Sequence, residues 1–282
     1  MSLELIKTRS RECNDRGDRS LTAFFSSPRL QNNENQPITC TLYPRRKGSA
    51  EYIAEVSSQV GCVIGCASCG CGKFRGNLTP DDVVDQIRTL IEAAQARFPS
   101  VSVNKINFTD GGELLLNPHC AEILQAATNH CHAFVKISTV LPDTPLTKQN
   151  IEHVIDFMRS YGPGITLQVS MHSTSPNERL SYVGVRLFSF QDLRELGERW
   201  QSLHPAQRKI TLTFTLVSTT RCRPEEIVDL LPPDLFRIRL HPCKPNSNGQ
   251  NTHTMSRERC IALEQEFIGL GYTVQRDEYD EI

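Results

Sequence analysis

The chain has 282 residues, 38% of them apolar, and a formal net charge of −1. That length supports one sizeable core, and the near-neutral charge excludes a bulk electrostatic pull toward nucleic acid or anionic membrane. No apolar run reaches the roughly eighteen residues of a membrane span, and Met1 to Ser20 is polar and mixed in charge, so neither a span nor a secretory signal is expected and a cytoplasmic location is.

In chain order, residues 1–40 read as an irregular N-terminal arm, because "NDRGDRS" and "QNNENQP" concentrate Asn, Asp, Gly and Pro. A single core domain is expected over 41–282. Tyr52 to Val60 reads as its first strand, followed by a loop holding Cys62, Cys66, Cys69 and Cys71. Thr79-Pro80-Asp81-Asp82 is a helix start: a Thr cap, Pro in the first turn and acid at the positive end. Val83, Ile87, Leu90, Ile91 and Ala94 then fall on one helical face.

The rhythm repeats. Strands are expected at Lys105 to Phe108, Ala133 to Ser138, Ile165 to Met171, Lys209 to Val217 and Phe236 to Leu240. The helices after them are expected near Pro118 to Thr128, Thr147 to Ser160, Ser189 to Trp200, Pro224 to Leu231 and Ser256 to Leu270. A short strand at Tyr272 to Gln275 closes the chain. Serial strand–helix units predict an α/β fold with parallel strands, best matched by a partial (β/α)6 TIM-like barrel. Within Lys209 to Val217, Thr211, Thr213 and Thr215 alternate with Ile210, Leu212, Phe214 and Leu216, so one face of that strand is polar.

The residues with chemistry to offer fall after these strands, where the carboxyl ends of parallel strands share one rim. Cys62, Cys66 and Cys69 follow the first strand as C-x3-C-x2-C, and Asp110-Gly-Gly-Glu113 follows the second. Ser138 ends the third; Ser170 and His172 end the fourth; Cys222 follows the fifth; His241, Cys243 and Lys244 follow the sixth. Eleven cysteines in a reducing compartment do not read as a disulfide framework, and a cluster of them in one loop points to metal. Three thiolates suit a 4Fe–4S cluster whose fourth iron lacks a protein ligand, since a closed cluster takes four cysteines. The plainer alternative is a zinc site with Cys71 as fourth ligand, although zinc prefers spaced C-x2-C pairs.

Taken together, "SSQVGC…C..C", "GGELLLN", "KIST" and "VSMH" resemble the radical S-adenosylmethionine (SAM) superfamily, and within it the ribosomal-RNA adenine methyltransferase branch. The resemblance runs from about Glu55 onward. It implies that Cys62, Cys66 and Cys69 hold a 4Fe–4S cluster, and that Gly112 and Glu113 meet the amino group of SAM. It also implies that Ser138, Ser170 and His172 lie along the nucleoside and carboxylate of SAM, with Lys244 where the family has a SAM-contacting asparagine. Reductive cleavage of SAM to a 5′-deoxyadenosyl radical is the implied activity, with a flavodoxin- or ferredoxin-type electron donor.

The departures shift the expected outcome. The methylating branch has a cysteine seven residues before the first cluster cysteine, and here that residue is Glu55. Neither its methyl-accepting cysteine near the C-terminus nor its N-terminal RNA-contacting domain is recognisable. A small molecule, nucleoside or peptide is therefore the expected substrate rather than nucleic acid, with Cys222 and Cys243 as speculative hydrogen donors. The alternatives are an RNA-modifying enzyme and a non-catalytic metal-binding protein.

Overall fold

The computed structural model describes residues 3–13, 18–32, 36–46, 49–67, 69–97, 101–204, 206–243 and 254–277. It comprises two compact units. The first is Met1–Gly65, Cys71–Ser138 and Pro145–Ile165; the second is Cys66–Gly70, Thr139–Thr144 and Thr166–Ile282.

The first unit opens with an antiparallel hairpin, β1 (Glu4–Cys13) and β2 (Asp18–Ser26), which continues into β3 (Ile38–Pro44) and β4 (Glu51–Glu55). The irregular arm expected over residues 1–40 is thus corrected. Leu21, Ala23 and Phe25 are buried while Ser20, Thr22 and Phe24 are less so, and Ile38, Cys40 and Leu42 repeat that alternation. A strand with one covered face shows this period-2 pattern.

After β4 the chain makes a short antiparallel ribbon, β5 (Gln59–Val60) with β6 (Gly76–Asn77), and the cysteine loop lies between its strands. The single strand expected over Tyr52 to Val60 is therefore two, broken at Val56 to Ser58. Helix α1 (Pro80–Gln95) begins as anticipated: Thr79 and Asp82 form a capping box, and Pro80 occupies the first turn. Val83, Ile87, Leu90 and Ala94 form its buried stripe. Then follow β7 (Ser102–Phe108), α2 (Cys120–Cys131), β8 (Phe134–Thr139) and α3 (Pro145–Tyr161). Here β4, β7 and β8 are parallel neighbours.

The second unit holds β9 (Ile165–Ser170), α4 (Pro176–Val183), α5 (Phe190–Ser202), β10 (Ile210–Leu216), β11 (Phe236–Pro242), α6 (Arg257–Gly269) and β12 (Val274–Arg276). Its four strands are parallel in the order β9-β10-β11-β12. The apolar side of β10 and β11 packs under helices: Phe214 meets Phe267 of α6 at 5.6 Å, and Gly197 of α5 sits over the Phe236 ring. The helix expected over Pro224 to Leu231 is only a 3-10 turn at Pro224–Glu226. Helix α4 was not anticipated, although Ser175, Pro176 and Gly184 are its cap, first residue and left-handed stop. Among the described residues, no helix is long and apolar enough to cross a membrane.

Candidate active site

In the first unit the "SSQ" and "GGELLLN" segments are one hydrogen-bonded structure. The Gly111 carbonyl accepts from the amides of Ser58 and Gln59, at 2.8 and 3.1 Å. Gln59 is buried; its Oε1 accepts from the Glu113 amide at 3.0 Å and from the Val63 amide at 3.4 Å, while its Nε2 donates to Asn77. The residue after Cys62 is thereby tied to the turn that presents Glu113. Asn117 closes the other side, donating to the carbonyls of Ser58 and Leu78.

This close contact explains the two glycines. Gly112 has φ +108, and a Cβ there would lie 2.6 Å from the Gln59 Cβ; one at Gly111 would lie 2.8 Å from the Ser57 Oγ. The pair is required first for chain to approach chain, a reason the sequence alone does not display. Glu113 is buried, and its carboxylate accepts from the Leu115 amide at 3.3 Å. Ser138 lies in β8 with a buried Oγ that has no hydrogen-bond partner among the described residues.

Behind the turn, Glu55 ends β4 and accepts from the Tyr43 hydroxyl at 3.0 Å and from Asn107 Nδ2 at 3.4 Å. Asp110 accepts from Thr39 at 2.7 Å. Burial, together with the Glu55 charge, raises its pKa to about 6 despite that bond.

In the second unit, Cys66 and Cys69 are joined by a turn in which the Cys69 amide donates to the Cys66 carbonyl at 3.0 Å. The Ala67 amide donates to the Tyr182 carbonyl at 3.1 Å, fastening this turn to the end of α4. Burial raises the Tyr182 hydroxyl pKa to about 12, reinforced by the thiols of Cys243, Cys66 and Cys69. Three of the cysteines singled out in sequence are therefore near enough to one tyrosine to act on its charge. His172 stacks on the same ring, with centroids 4.2 Å apart.

His172 occupies the left-handed region at φ 59, uncommon outside glycine. The conformation is held by its neighbours: Ser173 Oγ donates to Glu178, and Thr174 Oγ1 donates to Glu226. Both ring nitrogens are buried without a partner among the described residues, and burial followed by the charge of Arg179 lowers the pKa to about 4. The ring is neutral at pH 7. Arg179 itself is buried, donates Nε to the Met171 carbonyl and keeps Nη2 without a partner.

Ser170 ends β9 in register with Thr213, whose Oγ1 is buried with no hydrogen-bond partner among the described residues. Cys222 does not join this group. It is buried, its nearest charges are Arg259 and Glu266 of α6, and burial pushes its thiol far above the ordinary range. Lys244 lies outside the described residues. Gln59 and Asn117 stand inside the quoted motifs without an assigned role, and Tyr182 and Arg179 escaped the sequence reading because neither falls in a motif or a periodic stripe.

No family model matches the chain. A probable dual-specificity RNA methyltransferase RlmN from Desulfitobacterium hafniense (strain DSM 10664 / DCB-2) is 24% identical over 261 residues, spanning 88% of this chain and 71% of its own length. A second, from Chlorobium luteolum, is 29% identical over 170 residues, or 59% of this chain and 46% of that protein. A radical SAM methyltransferase from Sphaerobacter thermophilus superposes with a TM-score of 0.72 over 98% of this chain and 76% of that one, at 21% identity. The chain resembles the RlmN branch of the radical SAM superfamily.

The fold likeness bears out the expected α/β class and its TIM-like superfamily architecture. Radical SAM enzymes work with a 4Fe–4S cluster and SAM. The residues fit those groups: the cysteines of the loop are thiols rather than disulfides. Ser138 in one unit, and His172 and Thr213 in the other, hold buried polar atoms that the described protein does not satisfy. Such atoms are costly unless something pairs with them. Among the described residues, no three His, Cys, Asp or Glu side chains already stand as a formed metal site.

Proposed function

We propose that the chain is a radical SAM enzyme acting on a small molecule, nucleoside or peptide, with Cys62, Cys66 and Cys69 as thiolate ligands of a 4Fe–4S cluster. What supports this reading most is the Gln59 bridge, which ties the cysteine loop to the glycine turn by hydrogen bonds to Val63 and Glu113. When bound, the cluster supplies the electron that cleaves the SAM sulfonium to a 5′-deoxyadenosyl radical.

The protein's part is to bind, orient and shield. Glu113, fixed by Gln59, offers a carboxylate to the SAM ammonium. Ser138 and Ser170 face the nucleoside, and His172, neutral and stacked on Tyr182, accepts or donates a hydrogen bond without bringing charge. Cys243, which acts on the Tyr182 charge, and buried Cys222, kept in the thiol form, remain the candidate hydrogen donors. A flavodoxin- or ferredoxin-type protein is the electron source.

Glu55 favours an outcome other than the family's methyl transfer, because a hydrogen-bonded carboxylate stands where that branch has a thiol. The relatives named RlmN favour a second reading, RNA modification; its signature is RNA binding that weakens steeply with salt. Dithionite-reduced protein reconstituted with iron and sulfide should release 5′-deoxyadenosine from SAM, and Cys66→Ala should release none. Absence of product from wild type with a loaded cluster would reject the proposal.

A further inference from the structure

The polar face of β10 and β11 carries more than threonines. Register pairs Thr211 with Arg237, Thr213 with Arg239 and Thr215 with His241, so three basic side chains run along one face of β11. The upper two are answered by one acid. Asp277 lies 3.0 Å from Arg239 Nε and 2.7 Å from His241 Nδ1. Asp277 follows β12, which runs parallel to β11, so this acid stands at the carboxyl end of the face.

Among the described residues, the amino end has no such answer. Arg237 is the second residue of β11, about 13 Å along the strand from His241. Its Nε is buried with no hydrogen-bond partner among the described residues. What depresses its pKa is burial, then the charges of Arg208 and Arg239, with no carboxylate among the causes. Exposed Arg208 immediately precedes Lys209 and β10. Lys209 is occupied by the Pro233 carbonyl at 2.7 Å. Thr211, level with Arg237, and Gln168, level with Thr211, line the same face. A half-buried guanidinium whose Nε has no partner, and whose charge is opposed by Arg208 and Arg239 with no carboxylate among the described residues answering it, carries a cost that an anion would relieve.

We propose that Arg208 and Arg237, with Thr211, form a binding site for a phosphate group at the amino end of β10 and β11. Guanidinium forks match phosphate oxygens two at a time, and the hydroxyl of Thr211 adds a donor. The site needs neither cluster nor SAM, so it stands or falls independently of the radical reading. A mononucleotide and a polynucleotide would both present the required chemistry.

Calorimetric titration of the cluster-free full chain tests it, with inorganic phosphate, AMP, adenosine, acetate and a five-nucleotide single-stranded RNA as probes. Phosphate should bind saturably and raise the melting temperature. AMP, the RNA or both should bind while adenosine and acetate do not, and the pattern assigns the source. Arg237→Gln and Arg208→Gln should each weaken phosphate binding about tenfold or more, with Arg194→Gln as an exposed control. Each variant's own melting transition shows that it folds. Phosphate binding unchanged in both variants, no saturable phosphate binding in wild type, or acetate binding as well as phosphate would overturn the site.

Discussion

Burial shifts the titration of both Asp110 and His172, and the two pull stability in opposite directions. Burial lifts the Asp110 carboxyl from 3.8 to about 6, so the folded state holds its proton more tightly than the unfolded chain. Its contribution is fully present below pH 3.8 and is lost as pH rises through 6. His172 is lowered from 6.5 to about 4, again by burial first; its contribution is present above pH 6.5 and is lost as pH falls through 4. Asp110→Asn keeps an acceptor for Thr39 without the buried charge. It should stabilise the protein at pH 8 by up to about 3 kcal/mol and have little effect at pH 4. Urea unfolding at the two pH values measures this, and an equal effect at both would count against it. Neither shift could be read from sequence, because "TDGGE" and "VSMH" announce side chains but not their desolvation.

Secondary structure was legible wherever a face was covered in a regular period. Helix α1 is the clearest case, since its cap, proline and apolar stripe all stand in the sequence as they do in the fold. The hairpin of β1 and β2 was obscured by the polar "NDRGDRS" sequence, although Leu21, Ala23 and Phe25 already alternated. Asp82 joins these two regions. Its carboxylate accepts from the Thr79 amide at 2.8 Å and pairs with Arg29 at 2.8 Å, close to the end of β2. Asp82 is almost fully buried whereas Arg29 is half exposed, so the cap should outweigh the ion pair. Asp82→Ala should therefore cost about 1–2 kcal/mol, read as a lower melting temperature, and Arg29→Ala less. Equal losses from the two would mean that the ion pair, not the cap, fixes α1.

At the scale of the molecule, the series of parallel strands from β4 onward could be reasoned out from the chain. The polar mortar of the site could not. The bonds of Gln59 and Asn117 reach backbone in segments distant in sequence, and Tyr182, which packs against His172, sits at the end of a helix too short to show a period. Such residues are chosen by satisfaction of buried groups, which composition does not reveal. The central claim is that three cysteines of one loop hold an iron–sulfur cube open at one iron. Anaerobic purification followed by metal and acid-labile sulfide analysis tests it directly. Wild-type protein should contain iron and sulfide in equal amounts and lose both in Cys66→Ala. Colourless wild-type protein carrying zinc, or no metal after reconstitution, would contradict the account.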